Sequence, residues 1–71
     1  MKVKEFAKKY DFSLPLHLDG LGIDRELSFY ECWKVKNTNS KKRYFNEYFD
    51  GADKLVWQIC AAPDGITLIL K

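Results

Sequence analysis

The sequence has little of what catalytic and metal sites are built from. Its 71 residues include one histidine, His17, and two cysteines, Cys32 and Cys60. It contains no nucleophile elbow, no P-loop and no zinc-ligand cluster, and Gly20-x-Gly22 lacks the third glycine of a phosphate-binding loop. A lone histidine without a partner at ligand spacing is typically a surface residue. We therefore expect no enzymatic activity, no bound metal and no small-molecule cofactor.

Long apolar runs are also missing. No stretch reaches the length of about 18 apolar residues that a transmembrane helix needs. The opening Met-Lys-Val-Lys-Glu leads into no apolar signal-peptide segment. These absences predict a cytoplasmic protein with no membrane segment. In that compartment Cys32 and Cys60 are expected to be free thiols, buried within strands.

The composition that remains is that of one folded domain. Hydrophobic residues make up 46% of the chain and aromatic residues 15%, which is enough for a core and argues against disorder. A chain of 71 residues has room for one core only. We therefore expect residues 1–71 to form a single small domain.

The strongest local pattern lies in residues 54–71. Two apolar, β-prone runs flank Pro63-Asp64-Gly65, which predicts an antiparallel hairpin. Pro63 and Asp64 suit the corners of a type I turn, and Gly65 is expected to take a positive φ where the second strand begins. Alternation gives each strand an apolar face that another element must cover: Leu55, Trp57, Ile59 and Ala61 in the first strand, and Ile66, Leu68 and Leu70 in the second.

An amphipathic helix is predicted over residues 2–11. Apolar residues recur at i, i+3, i+4 and i+7, and lysines fill the opposite face. The apolar residues are Val3, Phe6, Ala7 and Tyr10. We expect this helix to cover the sheet through Phe6 and Tyr10.

The segment after the helix is harder to assign. Leu14, Leu16 and Leu18 alternate as in an extended segment, but Pro15 would confine that segment to a sheet edge or exclude it from a sheet. Residues 28–36 are predicted to form a strand. One face of this strand would carry Phe29, Trp33 and Val35, and the opposite face would carry Tyr30, Cys32, Lys34 and Lys36.

Residues 43–49 fit two structures. As a helix, the segment would start after an N-cap at Ser40 and end at Gly51. As a strand, it would place its aromatic residues on a pleated surface, which such residues favour. Cations at positions 41–43 would crowd the positive end of the helix, so we favour the strand.

Together these elements predict an α+β fold. An N-terminal helix packs on a small antiparallel β-meander of three to four strands, assigned to residues 28–36, 43–49, 54–62 and 65–70. The loops are short, so neighbouring strands are expected to pair in chain order.

Charge is unevenly distributed along the chain. Residues 1–43 carry ten Lys or Arg and six Asp or Glu, a net +4, whereas residues 44–71 carry two and four, a net −2. Exposed tyrosines rimmed by cations are typical of surfaces that bind macromolecules. The candidate binding residues, with tyrosines on the strand face opposite the helix, are Tyr30, Lys34, Lys36, Lys41, Lys42, Arg43, Tyr44 and Tyr48.

One short segment resembles a known family. Residues 1–13, MKVKEFAKKYDFS, are similar to the opening helix and turn of MerR-like and excisionase-like helix-turn-helix proteins. The resemblance implies core positions at Phe6 and Ala7 and a recognition helix beginning at Ser13. It covers 13 of 71 residues and stops at Leu14–Gly20, where no basic residues follow to meet DNA. No DNA-contacting residue is therefore carried over, and the resemblance implies only a small regulatory protein of the type found on phages and mobile elements.

Two classes of function remain. The first is a non-enzymatic regulatory or inhibitory protein that acts through a protein–protein surface, with a protein partner or a second copy of itself. The alternative is a nucleic-acid-binding protein that uses a basic and aromatic sheet face or a winged-helix-like N-terminus. Of the two, the tyrosine-rich surface favours the first.

Overall fold

The computed structural model describes residues 1–37, 39 and 41–71. Helix α1 spans Val3–Lys9, and strands β1 and β2 span Leu16–Gly20 and Ile23–Leu27. A one-turn helix α2 covers Phe29–Cys32. It runs directly into β3, Trp33–Val35. Three further strands follow in the described chain: β4 at Arg43–Phe45, β5 at Val56–Ala62 and β6 at Gly65–Leu70.

The α+β class with an N-terminal helix and a mostly antiparallel sheet is confirmed. The main sheet has the order β2-β1-β6-β5, in which only the central β1–β6 pair is parallel. Strands β3 and β4 form a second, two-stranded sheet. Consecutive strands therefore pair as predicted within the hairpins β3–β4 and β5–β6, but β4 does not pair with β5.

Helix α1 and the main sheet enclose the core, which extends to α2 and the segment after β4. The buried residues are Val3, Ala7, Leu16, Leu18, Leu27, Cys32, Phe49, Ala52, Leu68 and Leu70. Helix α1 buries Val3 and Ala7 completely, while Phe6 and Tyr10 pack against the margin of the core. Backbone bonds from Val3 to Lys54 and from Lys4 to Ala52 tie the start of this helix to the chain ahead of β5.

The predicted confinement of residues 14–18 to a sheet edge is wrong. Strand β1 lies inside the main sheet, between β2 and β6. Pro15 stands immediately before the strand, where its missing N–H removes no ladder bond, and its carbonyl still accepts a hydrogen bond from Ile66 N–H at 2.9 Å. The residues that follow Ser13, where the family resemblance would place a recognition helix, thus lead into a strand.

The predicted strand over residues 28–36 is only partly formed. Ser28 begins α2, because its Oγ accepts from Glu31 N–H at 3.2 Å while Glu31 Oε2 accepts from Ser28 N–H at 2.9 Å. This reciprocal capping box satisfies two backbone donors at the start of a helix. It replaces the extended conformation as far as Cys32, so the predicted division of this segment into two strand faces is wrong.

The predicted strand over residues 43–49 is confirmed for Arg43–Phe45, and the strand ends at Phe45. The segment that follows is irregular and contains turns up to the start of β5. Gly51, the expected C-cap of the alternative helix, lies in one of these turns at φ 88°. The expected N-cap, Ser40, lies outside the described residues.

The 54–71 hairpin forms, with β5 paired to β6 from Ala62 opposite Gly65 onward. Gly65 does not take a positive φ, so that expectation is wrong. A Cβ there would lie 3.1 Å from the Pro15 carbonyl oxygen, so glycine suits this position because the residue before β1 approaches closely.

The expected burial of β5 is wrong. Leu68 and Leu70 of β6 are core residues, but six of the seven residues of β5 are exposed. Trp57 is 65% exposed, and Cys60, predicted to be a buried thiol, is exposed as well. A register shift between Val56 and Gln58 interrupts the alternation at Trp57.

An ion-pair network joins β2, α2 and the turn after β4. Arg25 Nη1 lies 2.9 and 3.0 Å from the two carboxylate oxygens of Glu31, and its Nη2 donates to the Asp50 carbonyl at 3.2 Å. Burial alone raises the pKa of the Glu31 carboxyl. Hydrogen bonds from Arg25 and Ser28 outweigh it, so the pKa lies below its usual 4.5.

Replacing Glu31 with Gln should lower the free energy of unfolding at neutral pH by about 1 kcal/mol, because the pair is partly solvated. The folded-state pKa is depressed, so this stability is present above the unfolded value and is lost as pH falls through the folded value. Denaturant titrations from neutral to acid pH measure the difference between wild type and variant. Glu26→Gln, at an exposed position of β2, is the control. A Glu31→Gln effect that persists unchanged in acid would contradict the assignment.

Candidate binding surface

The two-stranded sheet places one candidate pair on its outer face. Lys34 of β3 lies directly opposite Tyr44 of β4, so their side chains share a face. The neighbouring pair, Trp33 and Phe45, turns the other way and packs against the core with ring centroids 5.1 Å apart. Lys34 and Tyr44 are therefore held toward solvent, and Tyr44 is 51% exposed.

Arg43 connects this sheet to α2. Its Nη1 donates to the Trp33 carbonyl at 3.1 Å. Its guanidinium lies 5.4 Å from the ring centroid of Phe29 and 5.6 Å from that of Tyr30, within cation–π distance of both. The arrangement fixes Tyr30, which is 69% exposed, at the margin of the β3–β4 sheet.

Most of the candidate residues thus lie on or beside the β3–β4 hairpin, with Lys34 and Tyr44 on one face and Arg43, opposite Val35, on the other. Lys36 N–H donates to the Lys42 carbonyl at 3.0 Å and closes the base of the β3–β4 loop. We call this region the basic-aromatic surface. It consists of Tyr30, Lys34, Lys36, Lys41, Lys42, Arg43 and Tyr44.

Tyr48 lies outside the β3–β4 hairpin. It is 92% exposed, and it follows β4 in the irregular segment, where its N–H donates to Asn46 Oδ1. The hydrogen bond to Asp53 is the main cause that raises the pKa of Lys4, and Tyr48 is among the groups that raise it further. The predicted common strand face for the three tyrosines is also wrong, because Tyr30 belongs to α2.

The basic-aromatic surface is rich in positive charge because of the residues at the end of α2 and in the β3–β4 hairpin. Positions 32–46 carry five cationic residues and no acidic residue. The adjacent carboxylate, Glu31, is already paired with Arg25. These positions therefore contribute only positive charge to the surface.

An open groove borders this surface. It has a volume of about 310 Å³ and runs between the segment before β1 and the β2–α2 junction. Its apolar lining includes Phe12, Leu14, Pro15, Phe29 and Tyr30. An apolar side chain of a bound molecule could enter it beside Tyr30. The groove could not be predicted from the sequence, because it depends on Phe12, held at φ 56°, packing edge-on against Phe29.

The titratable groups outside this surface include His17 and Cys32. His17 Nε2 lies 2.6 Å from Asp24 Oδ1 on an exposed face of the sheet. Burial raises the pKa of the Cys32 thiol to about 11, so it stays protonated at neutral pH and is a poor nucleophile. Within the described part of the chain, no group of three His, Cys, Asp or Glu side chains could hold a metal ion.

Comparison with protein-family models, with curated proteins and with solved structures gave no match. Neither described helix is long and apolar enough to cross a membrane. The geometry and charge of the surface are therefore the basis for assigning a function.

Proposed function

We propose that this protein is a non-enzymatic regulatory or inhibitory module that binds an acidic protein partner through the basic-aromatic surface. The observation that carries the proposal is the exposed cross-strand pair of Tyr44 and Lys34, with Arg43 and the Tyr30 ring that it contacts at the other face of the same hairpin. Positions 32–46 contain no acidic residue. Tyrosine and arginine are enriched among residues that dominate protein–protein affinity.

The positive charge selects the chemistry of the partner. Five cations and no acid between positions 32 and 46 attract carboxylates and accelerate encounter with an acidic surface. Arg43 is held in place by the Trp33 carbonyl and the two rings, so little side-chain entropy remains to be lost when it binds.

The groove beside Tyr30 favours a protein over a nucleic acid. A groove of about 310 Å³ lined by aromatic and aliphatic groups fits one apolar side chain of a partner. The ring of Tyr30 is already in contact with the Arg43 guanidinium, so it is not a free platform for a base. Tyr48 lies elsewhere, which leaves Tyr44 as the free ring on this surface.

Nucleic-acid binding is the second candidate because of one specific pair. Tyr44 and Lys34 lie side by side on an exposed sheet face, where a base could stack on the ring while the ammonium group contacts a phosphate. A single stacking ring supports weak, sequence-tolerant binding. Such binding would weaken steeply with salt, because phosphate contacts release counterions.

The proposal is tested with a double variant, Lys34→Glu with Tyr44→Ala. Isotope-labelled protein is titrated with a glutamate-rich peptide that contains Leu and Phe, and amide chemical shifts are followed by NMR. We expect shifts at Tyr30, Lys34, Tyr44 and the groove, and affinity lower by roughly tenfold in the variant, equivalent to about 1.4 kcal/mol. Single-stranded and duplex DNA and RNA are titrated in parallel at about 50 and 200 mM salt.

The matched control is Lys8→Glu with Tyr48→Ala, which changes the same residue types at exposed positions away from the surface. It should bind the peptide as the wild type does. Equal loss in both variants, or no shifts at the surface, would overturn the proposal. Binding of nucleic acid alone, lost in the Lys34→Glu with Tyr44→Ala variant, would establish the second candidate instead.

A further inference from the structure

Strand β5 is an unprotected sheet edge. The order β2-β1-β6-β5 leaves one side of β5 without a neighbouring strand. Its sequence, Val-Trp-Gln-Ile-Cys-Ala-Ala, has no charged residue and no proline, the two devices that commonly prevent strands from pairing with another chain. Trp57 and Ile59, 65% and 44% exposed, add apolar side chains along this edge.

The opposite edge of the same sheet is built differently. Strand β2 carries Asp24, Arg25 and Glu26 in succession, and charges of this kind discourage pairing with another chain. Only one of the two edges is therefore open to a further strand. The asymmetry limits any assembly through the sheet to contacts made by β5.

The chain itself covers only the first residue of this edge. Val56 N–H donates to the Met1 carbonyl at 2.7 Å, and Lys2 forms a bridge with Leu55. Apart from β6, the described residues contribute no backbone partner to positions 57–62. The register shift ends at Gln58, so Gln58–Ala62 is the regular stretch on which a new strand would pair.

We propose that a second copy of this chain pairs with β5, antiparallel and about a two-fold axis, to form a homodimer. In this contact β5 meets itself, and each sheet is extended by the four strands of the other copy. Both open edges are consumed in one contact. The charged β2 strands are left at the two outer ends, so the assembly closes as a dimer.

Charges at the ends of β5 specify the antiparallel orientation. Lys54 lies just before the strand and Asp64 just after it, and neither side chain has an ion-pair partner among the described residues. Antiparallel pairing brings Lys54 of one copy to the Asp64 end of the other at both ends of the contact. Parallel pairing would place like charges together, which is unfavourable.

The test is the dependence of mass and thermal stability on protein concentration, with Cys60→Lys as the variant. Cys60 is exposed near the middle of the regular stretch, so two lysines would repel across the axis. Wild type should show a monomer–dimer equilibrium by sedimentation. Its Tm should rise over a roughly hundredfold increase in concentration, because dimerisation stabilises the folded state by mass action.

Cys60→Lys should remain monomeric, with a Tm that does not change with concentration. Tyr48→Lys, the same type of change at an exposed site away from β5, should behave as the wild type does. A monomeric wild type throughout the range would overturn the proposal and leave the edge to an extended segment of another protein. A dimer that persists in Cys60→Lys would overturn it as well, since the contact would then lie elsewhere.

A cross-linking measurement locates the contact directly. Cys60 is the exposed thiol and Cys32 is buried, so a short bismaleimide, which adds across each thiol, should join two copies through Cys60. Cys60→Ser should abolish the product. Absence of cross-linked wild type at concentrations where sedimentation shows a dimer would contradict β5 pairing. The basic-aromatic surface takes no part in this contact, so the two proposals can fail independently.

Discussion

Replacing Leu68 with Ala should lower the free energy of unfolding by about 2–5 kcal/mol. Leu68 is fully buried in β6, opposite Leu18 of β1 on one side and Ile59 of β5 on the other. Truncation removes apolar contacts from both strand pairs and leaves a cavity that strands held in register cannot close. Denaturant unfolding followed by circular dichroism measures the loss, which is a large fraction of the stability expected for so small a domain.

Trp57→Ala is the comparison that makes this result informative. Alternation along the sequence places Trp57 and Leu68 in the same apolar layer, yet Trp57 is largely exposed in the folded chain. At concentrations below those at which copies pair, its truncation should change stability by about 0.5 kcal/mol or less. If Leu68→Ala unfolds at the wild-type midpoint, or Trp57→Ala costs as much as Leu68→Ala, the described core is incorrect.

Gly20→Ala should destabilise the fold by about 3 kcal/mol or more. Gly20 adopts φ 129°, a conformation that L side chains rarely take. A Cβ at this position would lie 2.6 Å from the Leu70 carbonyl oxygen and 3.1 Å from the Leu70 N. Backbone atoms of the neighbouring strand cannot rotate away as a flexible side chain can. The substitution must therefore separate β1 from β6 at the end of the sheet.

Gly22→Ala separates backbone strain from steric contact. Gly22 also has a positive φ, 79°, in the two-residue turn between β1 and β2, but nothing lies within 4 Å of an added Cβ. This variant should cost about 1–2 kcal/mol from backbone strain alone. Both variants are compared by thermal and denaturant unfolding. Equal losses would show that the contact with Leu70 does not constrain the sheet.

The sequence predicts the elements whose signals are local. The 54–71 hairpin has its turn residues between two alternating runs, and α1 has a complete apolar face, so each could be assigned without knowing its neighbours. Helix α2 also had a local signal, Ser28 followed three residues later by Glu31, which aromatic and β-branched neighbours obscured. A capping box can establish a single turn even where strand propensity is high.

The remaining features depend on contacts distant in sequence. Alternation shows that β5 has two faces but not whether any element covers them. The buried residues of α1 share a core with those of β1 and β6 instead. For the basic-aromatic surface, the sequence identifies the cations and tyrosines. It cannot show that Arg43 reaches Tyr30 of α2, because this contact depends on where α2 packs against the β3–β4 hairpin.

The parallel pairing of β1 with β6 has a consequence for how the chain folds. Leu18 is in register with Leu68, a separation of 50 positions (68 minus 18). Forming this pair requires closure of a long loop, an entropic cost that local helices and hairpins do not carry. On the ribosome, the β1–β2 hairpin emerges well before β6 does. Until β6 follows, the edge of β1 with which it pairs has no neighbouring strand. The core can close only after Leu70 has left the exit tunnel, so this part of the chain cannot complete its fold while β6 is still being synthesised.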